Sequence, residues 1–365
     1  MSASRRNALF KDIMTAETFD KNLMFKLINK QRKVHRSDQP IEFGKQNVDA
    51  EDGWVNYFKT LSTPNEYEQF DSDFQQATEL ALLLIPDSLE AFESTADPIS
   101  ERTIKSHLKS LKNGKAPDTY NLTSEHLKNA TPYITTVLTK LTNDIFMRKK
   151  WPEQFKLGVI TPVPKKGKNP RLPDSHRRIT VSAIVSKFVE KEMVNKTEEN
   201  KLGSPLQFGF IEGSSSTNCA FVISETIAEA KCLNQPLYLT LLDARKAFDT
   251  VWHPCMLVSL FDDGIDSPLW NLFQDMYTGI RSVVKINGSL SQEFTEEQGI
   301  RQGASSSSGI FRHRGTNLLT KVASLKESFR IGTIEVGAPT CADDTMMIST
   351  SRMCAQLQIN LAEYD

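Results

Sequence analysis

Two adjacent aspartates, Asp343 and Asp344, follow the tight segment Ala338 to Ala342 in the stretch GTIEVGAPTCADDTMMIS, residues 332–349. Apolar residues flank the segment, with Ile331, Ile334 and Val336 before it and Met346 to Ile348 after it, so strand, turn, strand is the expected local fold. Like charges at a hairpin tip repel and require a compensating cation. Mg²⁺ is the ion most often bound by a few carboxylates together with substrate phosphates. A lone pair of aspartates is more commonly an acidic surface turn, but a third carboxylate about a hundred residues upstream changes that balance. Asp243 ends the apolar run LYLTLLD, which reads as a buried strand. Strand ends and hairpin tips are rigid places for ligands. Three carboxylates there can hold two divalent ions about 4 Å apart, an arrangement suited to in-line phosphoryl transfer.

Other residue types fit the same chemistry by their spacing. Phe248 lies five residues after Asp243, where a large ring can fill space beside a sugar; on composition alone it is an ordinary core phenylalanine. Gln302-Gly303 offers an amide next to a bare backbone, although a QG pair by itself is only a turn. Between Arg148 and Arg178 stand ten basic residues against two acidic ones. Such a local excess suits a phosphate backbone, and it equally suits a solvated face.

The bulk properties set the frame for these residues. A chain of 365 residues can build two or three subdomains and a sizeable core. Its formal net charge of −1 does not announce a nucleic-acid binder. Five cysteines without a CxxC pair argue for a reduced intracellular protein, not a disulfide or zinc framework. The N-terminus lacks the apolar core of a signal peptide, and no apolar run reaches membrane-spanning length. A soluble protein of the cytoplasm or nucleus, with no membrane partner, is the expectation.

The elements that must position the acidic residues read as follows. A helix is expected over 16–33, in a polar and partly disordered region. Aromatic and Ala/Leu-rich helices follow at 53–61 and 70–84. Ile104, Leu108 and Leu111 mark a helix stopped at Asn113-Gly114, with further helices over 122–130 and 133–147. A strand over 157–163 feeds a basic loop, and HRRIT leads into a helix over 182–195. A helix over 217–231 precedes the Asp243 strand, whose residues 244–251 are expected to turn into a helix. Another helix is expected over 270–277. Asn287-Gly288 signals a hairpin between strands 282–286 and 293–297. Helices over 317–326 and 354–364 complete the reading.

The motifs together resemble the reverse transcriptases of non-LTR (LINE-like) retrotransposons. LLDARKAFDTVWH is similar to their palm motif, GIRQG to the next motif, and CADD to their aromatic-Ala-Asp-Asp box. Upstream, LKNGKAPDTYNLTSEHLK, TPVPKKG, SHRRIT and QFGF-x-x-GSSS resemble the finger motifs in the correct order. The resemblance implies an α+β fold: a right-hand polymerase palm, an antiparallel sheet packed on helices, with helical fingers. It implies an N-terminal extension over 1–100, fingers over 101–235 and palm over 236–365. Asp243, Asp343 and Asp344 would be the catalytic metal ligands for two Mg²⁺ ions, with Mn²⁺ able to substitute. Phe248 would be the ribose gate, Gln302 and Gly303 the nucleotide- and template-contacting pair. Lys165 and Arg177 would contact the triphosphate, with Arg178 the ambiguous neighbour. The partners implied are an RNA template, a DNA primer and dNTPs. The sequence departs from the family pattern at Cys341, where Tyr is usual, and at Ala304 to Ser308, which replaces Leu-Ser-Pro-like residues. Arg312, His313 and Arg314 place charges on a helix expected to turn an apolar side inward. The sequence stops at Asp365, so the expectation is a fragment without a thumb and with reduced or no independent activity. A catalytically silent RNA-binding or scaffold derivative of the same fold, and a metal nuclease or phosphatase using the same triad, are the rivals.

Overall fold

The computed structural model describes residues 41–43, 46–48, 50–64, 71–90, 98–199, 204–265, 267–325 and 328–363. The helix expected over 16–33 lies outside them. In chain order, a small hairpin, β1 (Ile41–Phe43) and β2 (Gln46–Val48), precedes helices α1 (Ala50–Ser62), α2 (Ser72–Glu90), α3 (Glu101–Ser110), α4 (Ser124–Lys128) and α5 (Tyr133–Arg148). Strands β3 (Leu157–Pro164) and β4 (His176–Val181) lead into α6 (Ser186–Glu199) and α7 (Ser216–Cys232). Then come β5 (Tyr238–Asp243), α8 (His253–Asp262), α9 (Ser267–Tyr277), β6 (Arg281–Ile286), β7 (Ser289–Leu290) and β8 (Phe294–Thr295). The last part holds α10 (Ser307–Ser324), β9 (Phe329–Ile331), β10 (Ile334–Val336), β11 (Thr340–Cys341), β12 (Asp344–Ser349) and α11 (Arg352–Glu363). The fold is a mixture of helices and mixed sheets.

One sheet runs β4-β3-β6-β7, with β8 also on β6. β3 pairs parallel with β6 only from Leu157 to Ile160 and antiparallel with β4 from Val159 onward. Pro162 and Pro164, which have no N–H to donate, fall where β3 has lost its second neighbour. Asn287 and Gly288 both take positive φ, 51° and 90°, the backbone of a primed two-residue turn. Trp54 and Phe58 of α1 pack on Ile160, Val284, Ile286 and Phe294, so this helix is part of the body and covers the sheet. The largest core joins α3, α5, α6, α8 and α9 around Ile104, Phe188, Leu260, Trp270 and Phe273.

A second sheet, β11-β12-β5, carries the acidic residues. Its middle strand is buried on both faces: Met347 packs with Leu319 and Val322 of α10, and Ile348 with Phe329, Val336 and Ala230. Burying two such side chains fully stabilises the strand by about 3–6 kcal/mol in transfer terms.

Several local expectations differ from what forms. Residues 331–336 are not one arm of the acidic hairpin; β9 and β10 fold on each other through Gly332, φ +57°, and β11 takes that place. HRRIT is a strand, and α6 starts only at Ser186. Residues 244–251 make a turn, with Lys246 left-handed at φ 56° and its carbonyl accepting from both Asp249 and Thr250. The helix begins at His253, where Pro254 supplies a favoured first-turn residue. Among the described residues the apolar run LYLTLLD is an edge strand, with Leu241 66 % exposed, because an apolar run does not say whether a strand gains a second neighbour. Helix α10 begins within the serine run. The Glu190 carboxylate accepts from the backbone N–H of Ser305 at 2.6 Å and of Ser306 at 3.3 Å, placing negative charge at that helix N-terminus. On this helix His313 is buried, with Nδ1 at 3.0 Å from Asp263 Oδ2.

Candidate active site

β12 runs antiparallel to β5 with Asp344 directly opposite Asp243. That register puts the two Cα atoms about 5 Å apart although a hundred residues separate them in sequence. Asp343 occupies the turn between β11 and β12, next to Ala342 at φ 63°. The turn is held from outside by LQFGF. Leu206 accepts from the Thr340 N–H and Phe208 donates to the Thr340 carbonyl, both at 2.8 Å. Gln207 Oε1 accepts from Gly209 N at 2.7 Å and from Ala342 N at 3.2 Å. A Cβ on Gly209 would collide with the backbone of Ala342, so glycine is required for this approach.

Asp243 and Asp343 line a cleft of about 730 Å³, as do Lys165, Arg177, Phe248, Gln302 and Gly303. Asp344 is exposed and outside that lining; its charge acts on Cys219 and helps burial push that thiol up. Cys341 pairs with Asp344 in the short strand β11. Phe248 stacks on Phe311 at 4.4 Å between centroids and meets Phe210 edge-on at 5.8 Å, so the ring is at once core-packed and cleft-facing. The Gln302 carbonyl accepts from Thr180 N at 2.9 Å, and Gly303 takes φ +121°. A Cβ there would stand 2.8 Å from the Thr180 carbonyl oxygen.

The basic segment divides into structural and cleft-facing members. Arg148 pairs with Asp144, Lys150 with Asp275, and buried Lys156 with Glu153 and Asp275. Arg178 lines the cleft but is buried against Glu296, Nη2 to Oε2 2.5 Å, whereas Arg177 is exposed. Lys165 donates to the Asp174 carbonyl at 3.2 Å.

Three further features, the first on the cleft wall and the other two outside its lining, carry no sequence motif. Tyr57 of α1 donates to Asp174 Oδ1 at 2.6 Å, and Lys246 reaches the same oxygen at 2.7 Å while lying 5.0 Å over the Tyr57 ring. Burial, followed by the Asp174 hydrogen bond, pushes the Tyr57 hydroxyl up; burial opposes ionisation of Asp174, yet Lys246 and Tyr57 bring it below the usual carboxylate range. Glu296 is buried between Arg178 and Arg301 and accepts from the Ser282 hydroxyl. Burial raises its pKa, and the two guanidinium groups with Ser282 more than offset this, leaving it below the ordinary value. Arg301 also donates to the carbonyls of Lys156 and Arg281, at 2.5 and 2.6 Å. His253 Nε2 donates to the Gly299 carbonyl at 2.9 Å, and burial holds this imidazole neutral with a pKa lowered to about 4.

Asp243, Asp343 and Asp344 supply hard oxygen donors, are all exposed, and have no side-chain hydrogen bond or ion pair among the described residues. This donor set fits a hard divalent cation whose coordination is completed by substrate oxygens. Among the described residues, no three His, Cys, Asp or Glu side chains are grouped closely enough to hold a metal ion by themselves. Among the same residues, no helix is long and apolar enough to cross a membrane.

With this geometry in place, comparison with known proteins is informative. Residues 163–363 match the family described as reverse transcriptase (RNA-dependent DNA polymerase). The chain is 28 % identical over 196 residues, 53 % of its length and 22 % of the relative's, to a probable RNA-directed DNA polymerase from transposon X-element of Drosophila melanogaster. It is 26 % identical over 315 residues, 82 % of its length and 33 % of the relative's, to the corresponding protein of transposon BS of the same species. To the RNA-directed DNA polymerase from mobile element jockey of Drosophila funebris the identity is 25 % over 384 aligned residues, covering 94 % of this chain and 40 % of the relative. The chain thus spans well under half the length of each of these relatives.

Proposed function

The chain belongs to the reverse transcriptase (RNA-dependent DNA polymerase) family, and from that premise we propose that its cleft performs RNA-templated addition of dNTPs to a DNA primer, as the polymerase domain of a retrotransposon protein. The observation that carries the reading is the β5–β12 register: Asp243 stands opposite Asp344, and Asp343 with Asp243 opens onto the cleft that holds Lys165, Arg177, Phe248, Gln302 and Gly303. In this reading residues 101–235 form the fingers and 236–365 the palm of a right-hand polymerase, with the cleft between them.

Asp243 and Asp343 are the principal metal ligands, and Asp344 is the third acidic member beside them. Two Mg²⁺ ions, replaceable by Mn²⁺, supply when bound the activation of the primer 3′-hydroxyl and the stabilisation of the leaving pyrophosphate. The protein's own part is orientation. Lys165 and Arg177 hold the triphosphate as point and fork donors. Phe248, fixed by its stack on Phe311, closes the space a ribose 2′-hydroxyl would need. Gly303 lets the nucleotide or template approach the backbone, and Gln302 contacts it with an amide.

Primer extension on poly(rA)/oligo(dT) with Mg²⁺ or Mn²⁺ tests the proposal, with Asp343→Asn as the paired variant. Metal-dependent incorporation by the wild type that is abolished in the variant, while RNA binding is retained, is the expected result. No incorporation by the wild type, with RNA binding indifferent to Asp343→Asn, would favour the silent RNA-binding derivative.

A further inference from the structure

Asp249 follows the Phe248 ring and has no part in the chemistry above, yet it is the most buried carboxylate on the cleft wall, 9 % exposed. Its turn and the Gly299–Gly303 segment are tied together at the backbone. The Ile300 N–H donates to the Phe248 carbonyl and the Gly299 N–H to the Val251 carbonyl, both at 2.7 Å. A Cβ on Gly299, φ +97°, would lie 2.9 Å from the Asp249 carbonyl oxygen. Across this junction Gln302 Nε2 donates to both carboxylate oxygens of Asp249, at 3.4 Å each. Among the described residues, Asp249 makes no ion pair and no other side-chain hydrogen bond, and Gln302 has no other side-chain partner.

We propose that Asp249 is a positioning residue that captures the Nε2 end of Gln302, so that Gln302 offers the cleft its Oε1 as a hydrogen-bond acceptor. An ionised carboxylate only accepts, so the amide end that faces it has to be the NH₂. The free oxygen then suits a donor on the bound nucleic acid or nucleotide, a sugar hydroxyl or a base amino group, and disfavours a phosphate. The inference rests on the reading of the cleft as a nucleotide site. The charged and titratable groups facing Asp249 are Arg178 from β4, Lys165 from the connection after β3, Lys246 from its own turn, Glu296 from the segment after β8 and Tyr57 from α1. Burial pushes the Asp249 carboxyl up, with Arg178, Lys246 and Lys165 opposing. Once protonated it becomes a donor as well, and the amide loses its reason to face one way.

The test has an arm that needs no activity. In the ¹⁵N-labelled full chain, the Gln302 side-chain NH₂ resonances, assigned through Gln302→Glu, are followed with pH. They are expected to titrate with a midpoint above the ordinary aspartate value and to lose that titration in Asp249→Asn. Resonances indifferent to pH and to the variant would overturn the proposal, and the wild-type titration decides even if the variant does not fold. In steady-state incorporation, Asp249→Asn should raise the nucleotide KM about 3- to 10-fold, the worth of one hydrogen bond, with kcat within about twofold. An unchanged KM would overturn it. If the penalty disappears with a 3′-deoxynucleotide the donor is the sugar hydroxyl, and if it persists the donor is a base. A wild type that incorporates nothing would sink the polymerase reading, while the amide titration would still decide the role of Asp249.

Discussion

Replacing Glu296 by Gln removes one negative charge from the interior and almost no volume. Arg178 and Arg301, each with a side chain 4 % exposed, would then lose the carboxylate that both of them pair with. Removing one partner from a buried ion pair costs about 3–5 kcal/mol, most of it the price of leaving the other charge unpaired. The lower end applies if the new amide oxygen keeps one guanidinium hydrogen-bonded. With a urea dependence near 3 kcal/mol/M, this corresponds to a midpoint lower by about 1 M or more. The pH dependence adds an independent check. Because Glu296 sits below its ordinary value of 4.5 in the folded protein, its contribution is complete above that pH. It disappears as pH falls through the folded value. Gln has no such term, so the gap between wild type and variant should be widest near neutrality and should close in acid. Equilibrium urea unfolding at pH 7 and pH 4, followed by far-UV circular dichroism, measures both. A gap under about 1 kcal/mol at pH 7, or one that widens in acid, would refute the role of Glu296 as the buried counter-charge of Arg178 and Arg301.

Gly209→Ala should displace the Ala342 turn and destabilise the fold by about 2 kcal/mol or more, since the clash is backbone against Cβ and the Gln207 hydrogen bonds stand beside it. Chemical denaturation together with incorporation assays would show both losses, and full activity in the alanine variant would contradict the approach described. Phe248→Ala should increase ribonucleotide incorporation relative to deoxynucleotide by at least tenfold, read from the ratio of kcat/KM values, and an unchanged ratio would remove it as the gate. His253, with its pKa lowered to about 4 in the folded state, contributes stability that is present above the unfolded value near 6.5 and is lost as pH falls toward 4. The loss approaches about 3 kcal/mol at full protonation. Unfolding measured across pH 7 to 4 should therefore show a shallower slope in His253→Gln, and the slope that remains comes from His107, also lowered to about 4 by burial, and from lowered carboxylates such as Glu296.

The sequence by itself was enough for the motif order, the family and most helices, because each of these is local. Side-chain periodicity marks the helices, Asn287-Gly288 marks its turn by the conformations those residues tolerate, and the ordered motifs carry the resemblance without coordinates. It could also nominate Asp243, Asp343 and Asp344 from their residue type and their places at chain reversals. What it could not decide is everything that depends on register and neighbours. Asp344 stands opposite Asp243 because β12 pairs with β5 in one particular alignment, and a slip of one residue would turn the carboxylate to the other face. Among the described residues, LYLTLLD is an edge strand because β12 is its sole partner in the sheet, a fact absent from its apolar composition. Arg177 and Arg178 are adjacent and chemically alike. Strand alternation alone sends one to solvent and the other into the interior against Glu296, more than a hundred residues away. The contacts of Gln207 with Ala342, Tyr57 with Asp174 and Asp249 with Gln302 are likewise long-range pairings. Their energetics arise only once folding has removed the water from between them.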